Sequence, residues 1–162
     1  MADEDLYGLA DEVGAALKAR NLMLVTAESC TGGWIGEAVT MISGSSDWYE
    51  RGFITYSYIA KRELLGVNPE TLEKFGAVSE ATVREMAVGA LAASHAQVAV
   101  AVSGTAGPTG GTAEKPVGTV CLAWAVTGGA VKTATQHFAG DREAVRRQSV
   151  ARALRGILEL LV

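Results

Sequence analysis

Apolar residues recur at helical spacing through Leu6, Leu9, Ala10, Val13 and Leu17, which predicts an amphipathic helix over residues 4–19. Residues 22–27 form a short, nearly continuous apolar run instead, the pattern of a strand buried on both faces. A helix is predicted over 31–42, ended by Gly44-Ser45-Ser46, and a second strand over 52–57. Residues 58–65 and 69–75 read as short helices, the latter with Pro69 in its first turn, where a missing N–H is harmless. Ser79 is placed to cap a long helix reaching about residue 94, with Val83, Met86, Ala87, Ala90 and Leu91 inward. A buried strand over 98–103 runs into the glycine-rich segment 104–112. Strands over 117–126 and 131–138 flank Gly128-Gly129 as a hairpin. Asp141 caps a last amphipathic helix carrying Val145, Val150, Leu154, Ile157 and Leu158. Helices and strands that alternate and then close with one hairpin predict an α/β fold: a mixed sheet between two helical layers, in a single domain over 1–162.

Composition narrows the function. At 162 residues, with 49% hydrophobic and 20% charged positions, the chain can bury a core and is not disordered. A net charge of −4 without a basic run argues against nucleic acid as partner. Cys30 and Cys121 are too few for a disulfide framework or a four-thiolate zinc site. His95 and His137 lie in different elements with no carboxylate or thiol at ligand spacing, so no metal is expected; their apolar surroundings predict core positions. Residues 86–113 carry no charge, but they are mostly small and are broken by Ser94-His95-Ala96-Gln97, which reads as helix end, turn and strand rather than a membrane span. The start Met1-Ala2-Asp3-Glu4-Asp5 is acidic, unlike a signal peptide, and the expected compartment is the cytoplasm.

Three segments hold residues suited to chemistry. In Thr26-Ala27-Glu28-Ser29-Cys30-Thr31-Gly32-Gly33 a strand ends and a helix begins. Strand exits favour ligands and helix N-termini offer N–H groups to anions, yet a plain turn capped by Ser29 or Thr31 needs the same residues. The word is not the G-x-S-x-G elbow, because Ala27 and Thr31 hold the glycine positions. Cys30 reads as a small buried thiol rather than a nucleophile. In Tyr56-Ser57-Tyr58-Ile59-Ala60-Lys61-Arg62, Lys61 falls in the first helical turn, where the macrodipole and burial would both favour a neutral amine. The alternative is an exposed lysine beside Arg62 and Glu63. The loop 104–112 fits neither the P-loop nor G-x-G-x-x-G, but its backbone could approach a ligand closely; the alternative is a long connection rich in turn residues. Arg142, at the start of the last helix, suits a phosphate or carboxylate, or is simply solvated beside its Asp cap.

These words occur in order from about residue 4 to 160, together with Gly44-Ser45-Ser46, Thr55-Tyr56-Ser57, Ala60-Lys61, Leu65-Gly66-Val67, Gly76-Ala77-Val78-Ser79-Glu80, Ala106-Gly107-Pro108, Lys115-Pro116-Val117-Gly118-Thr119-Val120 and Gly140-Asp141-Arg142. The set resembles the CinA C-terminal domain family. The resemblance implies a layered α/β fold, no cofactor, and a homodimer. It also implies hydrolysis of the carboxamide of nicotinamide mononucleotide to nicotinate mononucleotide and ammonia. Carried over residue by residue, Ser29 is the nucleophile, Lys61 the base and Tyr56 the third catalytic residue, through which the proton can pass between Lys61 and the reacting groups. Substrate binding is expected of Cys30, Thr31, Gly32, Gly33, Ser45, Thr105, Ala106, Gly107 and Arg142. The N–H groups around 30–33 are expected at the oxyanion, and Thr105, Gly107 and Arg142 at the phosphate. Longer relatives carry an additional N-terminal domain similar to molybdopterin-binding folds, and the pyrophosphatase chemistry of that domain is expected to be absent here. Two positions depart from the family pattern: Tyr58 where Asn is common, and Ser43 where Pro is. The competing class is a non-catalytic nucleotide- or partner-binding module of the competence/damage-inducible type, using the same loop and Arg142.

Overall fold

The computed structural model describes residues 5–162, so the start of the acidic segment and the first position of the expected 4–19 helix lie outside the described residues. In chain order the elements are α1 (Leu6–Ala19), β1 (Leu24–Glu28), α2 (Trp34–Thr40), β2 (Tyr49–Ile54), α3 (Tyr58–Leu65), α4 (Pro69–Phe75), α5 (Glu80–Ala92), β3 (Val98–Gly104), β4 (Thr119–Val126), β5 (Val131–His137) and α6 (Arg142–Leu160), with a single 3-10 turn at Ser45–Asp47 before β2. The sheet order is β2-β1-β3-β4-β5. β1 pairs in parallel with both β2 and β3, and β3, β4 and β5 pair antiparallel. This is the expected mixed sheet with helices on both faces.

The two faces differ in residue size. Val98, Val100 and Val102 of β3 and Leu122 and Trp124 of β4 join a core cluster with α1, α2 and α6. The intervening Ala99, Ala101, Ala123 and Ala125 face a second cluster with α5, Leu65 of α3 and Leu72 of α4. Small residues on that face let α5 lie close on the sheet, since successive strand side chains point to opposite faces. Close approach recurs at Gly89 of α5, where a Cβ would overlap the Leu65 carbonyl of α3. That contact sets α3, and with it Lys61, against α5.

Several element boundaries depart from the expected ones: β1, expected over 22–27, spans Leu24–Glu28, and three more elements shift for local reasons. β2 spans Tyr49–Ile54 instead of 52–57. Its pairing with β1 ends at Glu28 opposite Ile54; Thr55 then makes one more bond to the Glu28 carbonyl, and Ser57 caps α3 by accepting from the Ala60 N–H at 3.0 Å. α2 begins at Trp34 rather than Thr31, because Gly32 (φ 62°) and Gly33 (φ 107°) hold the preceding residues in a left-handed turn. β4 begins at Thr119, because Gly118 at φ 95° packs against the Phe138 carbonyl. Among the described residues no helix is long and apolar enough to cross a membrane.

Candidate active site

The carboxyl ends of β1 and β3, the start of α3, the glycine loop and the first residue of α6 converge on one cavity of about 270 Å³. Crevices at the carboxyl ends of parallel strands are the usual ligand sites of α/β sheets. Ser29, Cys30, Tyr56, Lys61, Thr105, Ala106, Gly107 and Arg142 all line it, and Ala77, Val78 and Ser103 are also part of the wall.

Ser29 follows β1 directly and Lys61 projects from α3; their side chains meet at 3.0 Å, Nζ to Oγ. The Lys61 amine also donates to the Thr55 carbonyl at 2.8 Å. Lys61 is only 1% exposed, which rules out the reading of a solvated lysine. No carboxylate forms an ion pair with it among the described residues. Burial without a counter-charge disfavours the ammonium and pulls its pKa from 10.5 down to about 8, against a smaller opposing influence of Cys30. The Cys30 thiol is also buried, and desolvation pushes it up to about 12, so it is a protonated wall group and not a nucleophile, as expected.

The turn after Ser29 is clamped from both sides. Glu28, 2% exposed, accepts from the Thr31 hydroxyl (2.5 Å) and from the N–H groups of Gly33 (3.2 Å), Ile35 (2.9 Å) and Gly36 (3.0 Å). From α6, Arg146 donates to the carbonyls of Cys30 and Thr31, both at 3.1 Å, while its guanidinium stacks over Trp34. Ser29 N–H donates to the Val102 carbonyl, Gly32 N–H to Ser29 and Trp34 N–H to Thr31. Of the N–H groups from 29 to 36, those of Cys30 and Thr31 alone lack an oxygen acceptor among the described residues.

Four expected binding residues, Thr31, Gly32, Gly33 and Ser45, do not line the cavity, and of these Thr31 alone keeps an unengaged N–H beside it. Gly32 and Gly33 N–H are engaged inside the turn and cannot meet an oxyanion, and neither residue lines the cavity. The Thr31 side chain is fully buried on Glu28; only its N–H is unengaged. Ser45 lies in the 3-10 turn before β2, where Trp48 takes the first N–H of β1; that is the opposite end of the sheet from the strand exits. The glycine loop also departs from an anion nest: Thr105 N–H pairs with the Thr119 carbonyl, and Gly107 offers its carbonyl to Arg142 at 2.8 Å. Arg142 further donates to the Tyr56 hydroxyl at 3.2 Å, so the two stand together at the mouth, and Tyr56, expected as a catalytic residue, makes no hydrogen bond to Ser29 or Lys61 among the described residues. Tyr58 lies outside the cavity, where its hydroxyl accepts from Ala77 N–H at 3.3 Å and steadies the 77–78 wall. His95 and His137 are exposed rather than in the core: His95 sits in the turn before β3, and His137 ends the edge strand β5 with Nδ1 3.3 Å from Thr119 Oγ1. No cluster of potential metal ligands occurs among the described residues.

Glu28 and Arg146, which hold the turn after Ser29, and Ser103, which lines the cavity, were not singled out in the sequence. The partners of Arg146 are more than a hundred positions away in the chain, and nothing local signals them.

A serine hydroxyl, a buried lysine amine and unengaged main-chain donors meet at the end of a parallel strand, an arrangement suited to hydrolysis, and comparison with known proteins gives the family. The CinA C-terminal domain model matches residues 6–161, and the chain belongs to that family. It is 57% identical over 158 residues to the nicotinamide-nucleotide amidohydrolase PncC of Enterobacter agglomerans, covering 98% of this chain and 96% of the relative. The protein of the same name from Escherichia coli K12 is 56% identical over 154 residues, covering 95% and 93%. The crystal structure of the competence/damage inducible protein CihA from Agrobacterium tumefaciens superposes with a TM-score of 0.95 at 46% identity, covering 99% of this chain and 98% of that one.

Proposed function

We propose that this chain is a nicotinamide-nucleotide amidase, acting in the cytoplasm as a homodimer, that hydrolyses the carboxamide of nicotinamide mononucleotide. The observation that carries the mechanism is the buried Lys61 amine 3.0 Å from Ser29 Oγ. The names and extent of the relatives supply the substrate.

A serine hydroxyl is a poor nucleophile at its own pKa and needs an adjacent base. A neutral lysine amine has two N–H groups and one lone pair. With one N–H on the Thr55 carbonyl, the lone pair can face the Ser29 hydroxyl. Ser29 Oγ attacks the carboxamide carbon as its proton passes to Lys61 Nζ. The oxyanion is met by the N–H groups of Cys30 and Thr31, each donor worth about 3 kcal/mol in the transition state. Arg146 assists, because its bond to the Cys30 carbonyl polarises the same peptide unit whose N–H belongs to Thr31. The C–N bond then breaks, the nitrogen takes the proton from the Lys61 ammonium, and ammonia leaves. Water opens the acyl-enzyme with Lys61 again as base, and the proton returns to Ser29. Tyr56 and Arg142 at the mouth hold the nucleotide end, Arg142 toward the phosphate and Thr105 beside it.

Purified protein incubated with nicotinamide mononucleotide is expected to release ammonia and nicotinate mononucleotide. Ser29→Ala is expected to abolish that release while keeping the circular dichroism spectrum and nucleotide binding. Undiminished ammonia release by Ser29→Ala would remove Ser29 as nucleophile; nucleotide binding without turnover by the unmodified chain would favour a binding module.

A further inference from the structure

A second serine hydroxyl stands beside the nucleophile. β1 and β3 run parallel with Glu28 opposite Val102, and Ser29 N–H donates to the Val102 carbonyl at 3.0 Å. The register therefore carries one step past the end of β1 and sets Ser103 alongside Ser29. Side-chain alternation puts both on one face of the sheet: Ser29 follows Val25 and Ala27, and Ser103 follows Ala99 and Ala101, all in the cluster under α5. Strand spacing separates the two backbones by roughly 5 Å. Ser103 is 1% exposed and lines the same cavity. Its cross-strand neighbour Cys121 is turned to the Thr135 hydroxyl at 3.5 Å. No group among the described residues hydrogen-bonds the Ser103 hydroxyl, and it is not among the polar atoms sealed from any space. Buried hydroxyls are ordinarily paired, so this one is left for whatever occupies the cavity.

We propose that Ser103 Oγ accepts a hydrogen bond from the N–H of the substrate carboxamide and orients the leaving nitrogen. This assignment rests on the amidase reading above. A carboxamide presents two N–H donors on the atom that must depart. When Ser29 Oγ bonds to the carbon, that nitrogen turns from planar to pyramidal and its lone pair becomes basic. An N–H held by Ser103 fixes the direction of the lone pair toward the ammonium of Lys61, which supplies the proton. The C–N electron pair stays on nitrogen, and ammonia leaves. An ester of the same acid has no N–H on its leaving atom and gains nothing from Ser103. The site thereby favours a primary carboxamide over an isosteric ester.

The test compares the unmodified chain with Ser103→Ala on nicotinamide mononucleotide and on the methyl ester of nicotinate mononucleotide. Loss of one hydrogen bond to the reacting group is expected to lower kcat/KM for the carboxamide about tenfold, with ester turnover within about twofold of the unmodified chain. The nitrogen-15 isotope effect on carboxamide hydrolysis is expected to rise in Ser103→Ala, because C–N cleavage becomes the slower step. Unchanged carboxamide turnover, an equal fall on both substrates, or an isotope effect that does not move would each overturn the assignment of Ser103. An unmodified chain that releases no ammonia at all would instead overturn the amidase reading, and Ser103 with it.

Discussion

At the scale of single residues, catalysis and stability pull against each other at Lys61. In the proposed mechanism its amine works as a base only when neutral, and burial lowers its pKa to about 8, which makes that form accessible. The acidic limb of kcat/KM is therefore expected near pH 8, with activity rising through it. The folded chain binds a proton there less readily than the unfolded chain, whose lysine titrates near 10.5. Stability consequently increases as pH climbs from about 8 toward 10.5, and below 8 the full penalty of a buried ammonium applies, about 3 kcal/mol. Lys61→Met is expected to abolish ammonia release and to raise the urea midpoint at pH 7, the gain shrinking as the pH is raised past 8. A midpoint that falls at every pH would mean that the ammonium is not destabilising. Ser29 and Lys61 were singled out because each sits in a recognisable word, although the bare residues left a capped turn equally open and favoured a solvated lysine. Ser103 was not legible, because a serine ending an apolar strand carries no sign of which strand will lie beside it.

At the scale of elements, the turn after Ser29 is held by Glu28. A carboxylate buried at the last position of β1 replaces the usual N-cap of α2 and collects three N–H groups and the Thr31 hydroxyl. Removing an acceptor from several buried donors costs more than one ordinary hydrogen bond, about 2–3 kcal/mol. Glu28→Gln keeps the shape but turns an N–H₂ group toward donors, so the urea midpoint and kcat are both expected to fall, with KM little changed. A variant as stable and as active as the parent would show that the clamp is not needed. Element types were read correctly along the chain, and the misplaced boundaries share a cause. The β-rich residues Phe53-Ile54-Thr55-Tyr56 suggested a strand reaching 57, but pairing ends where β1 ends, at Glu28. Likewise Thr31 resembles a helix start, yet two glycines in left-handed conformation delay α2 to Trp34. Partner strands and turn geometry, not local propensity, decide such ends. The histidines were misjudged for the same reason: apolar neighbours in sequence say little about which side of an edge strand or turn a residue takes.

At the scale of the whole molecule, the site is assembled from segments that meet only in the folded state. The β1 exit brings Ser29, α3 on one face brings Lys61, and α6 on the other face brings Arg142 to Tyr56 and Gly107. A ligand bridging these segments binds the folded chain alone and stabilises all of it, by about 2.7 kcal/mol at a hundredfold excess over Kd. In the Ser29→Ala background, where substrate would persist, nicotinamide mononucleotide is expected to raise Tm more than nicotinamide riboside does, because only the former carries a phosphate. Arg142 has guanidinium donors beyond the two that bond Gly107 and Tyr56, and a charge-assisted bond to phosphate is worth about 1.5–3 kcal/mol. Adding Arg142→Ala to Ser29→Ala should therefore weaken nucleotide binding by about tenfold or more, leave riboside binding nearly unchanged, and erase most of the difference in Tm between the two ligands. If the mononucleotide and the riboside lose affinity equally, Arg142 serves the shape of the mouth by tethering the loop to α6, and the phosphate is held elsewhere.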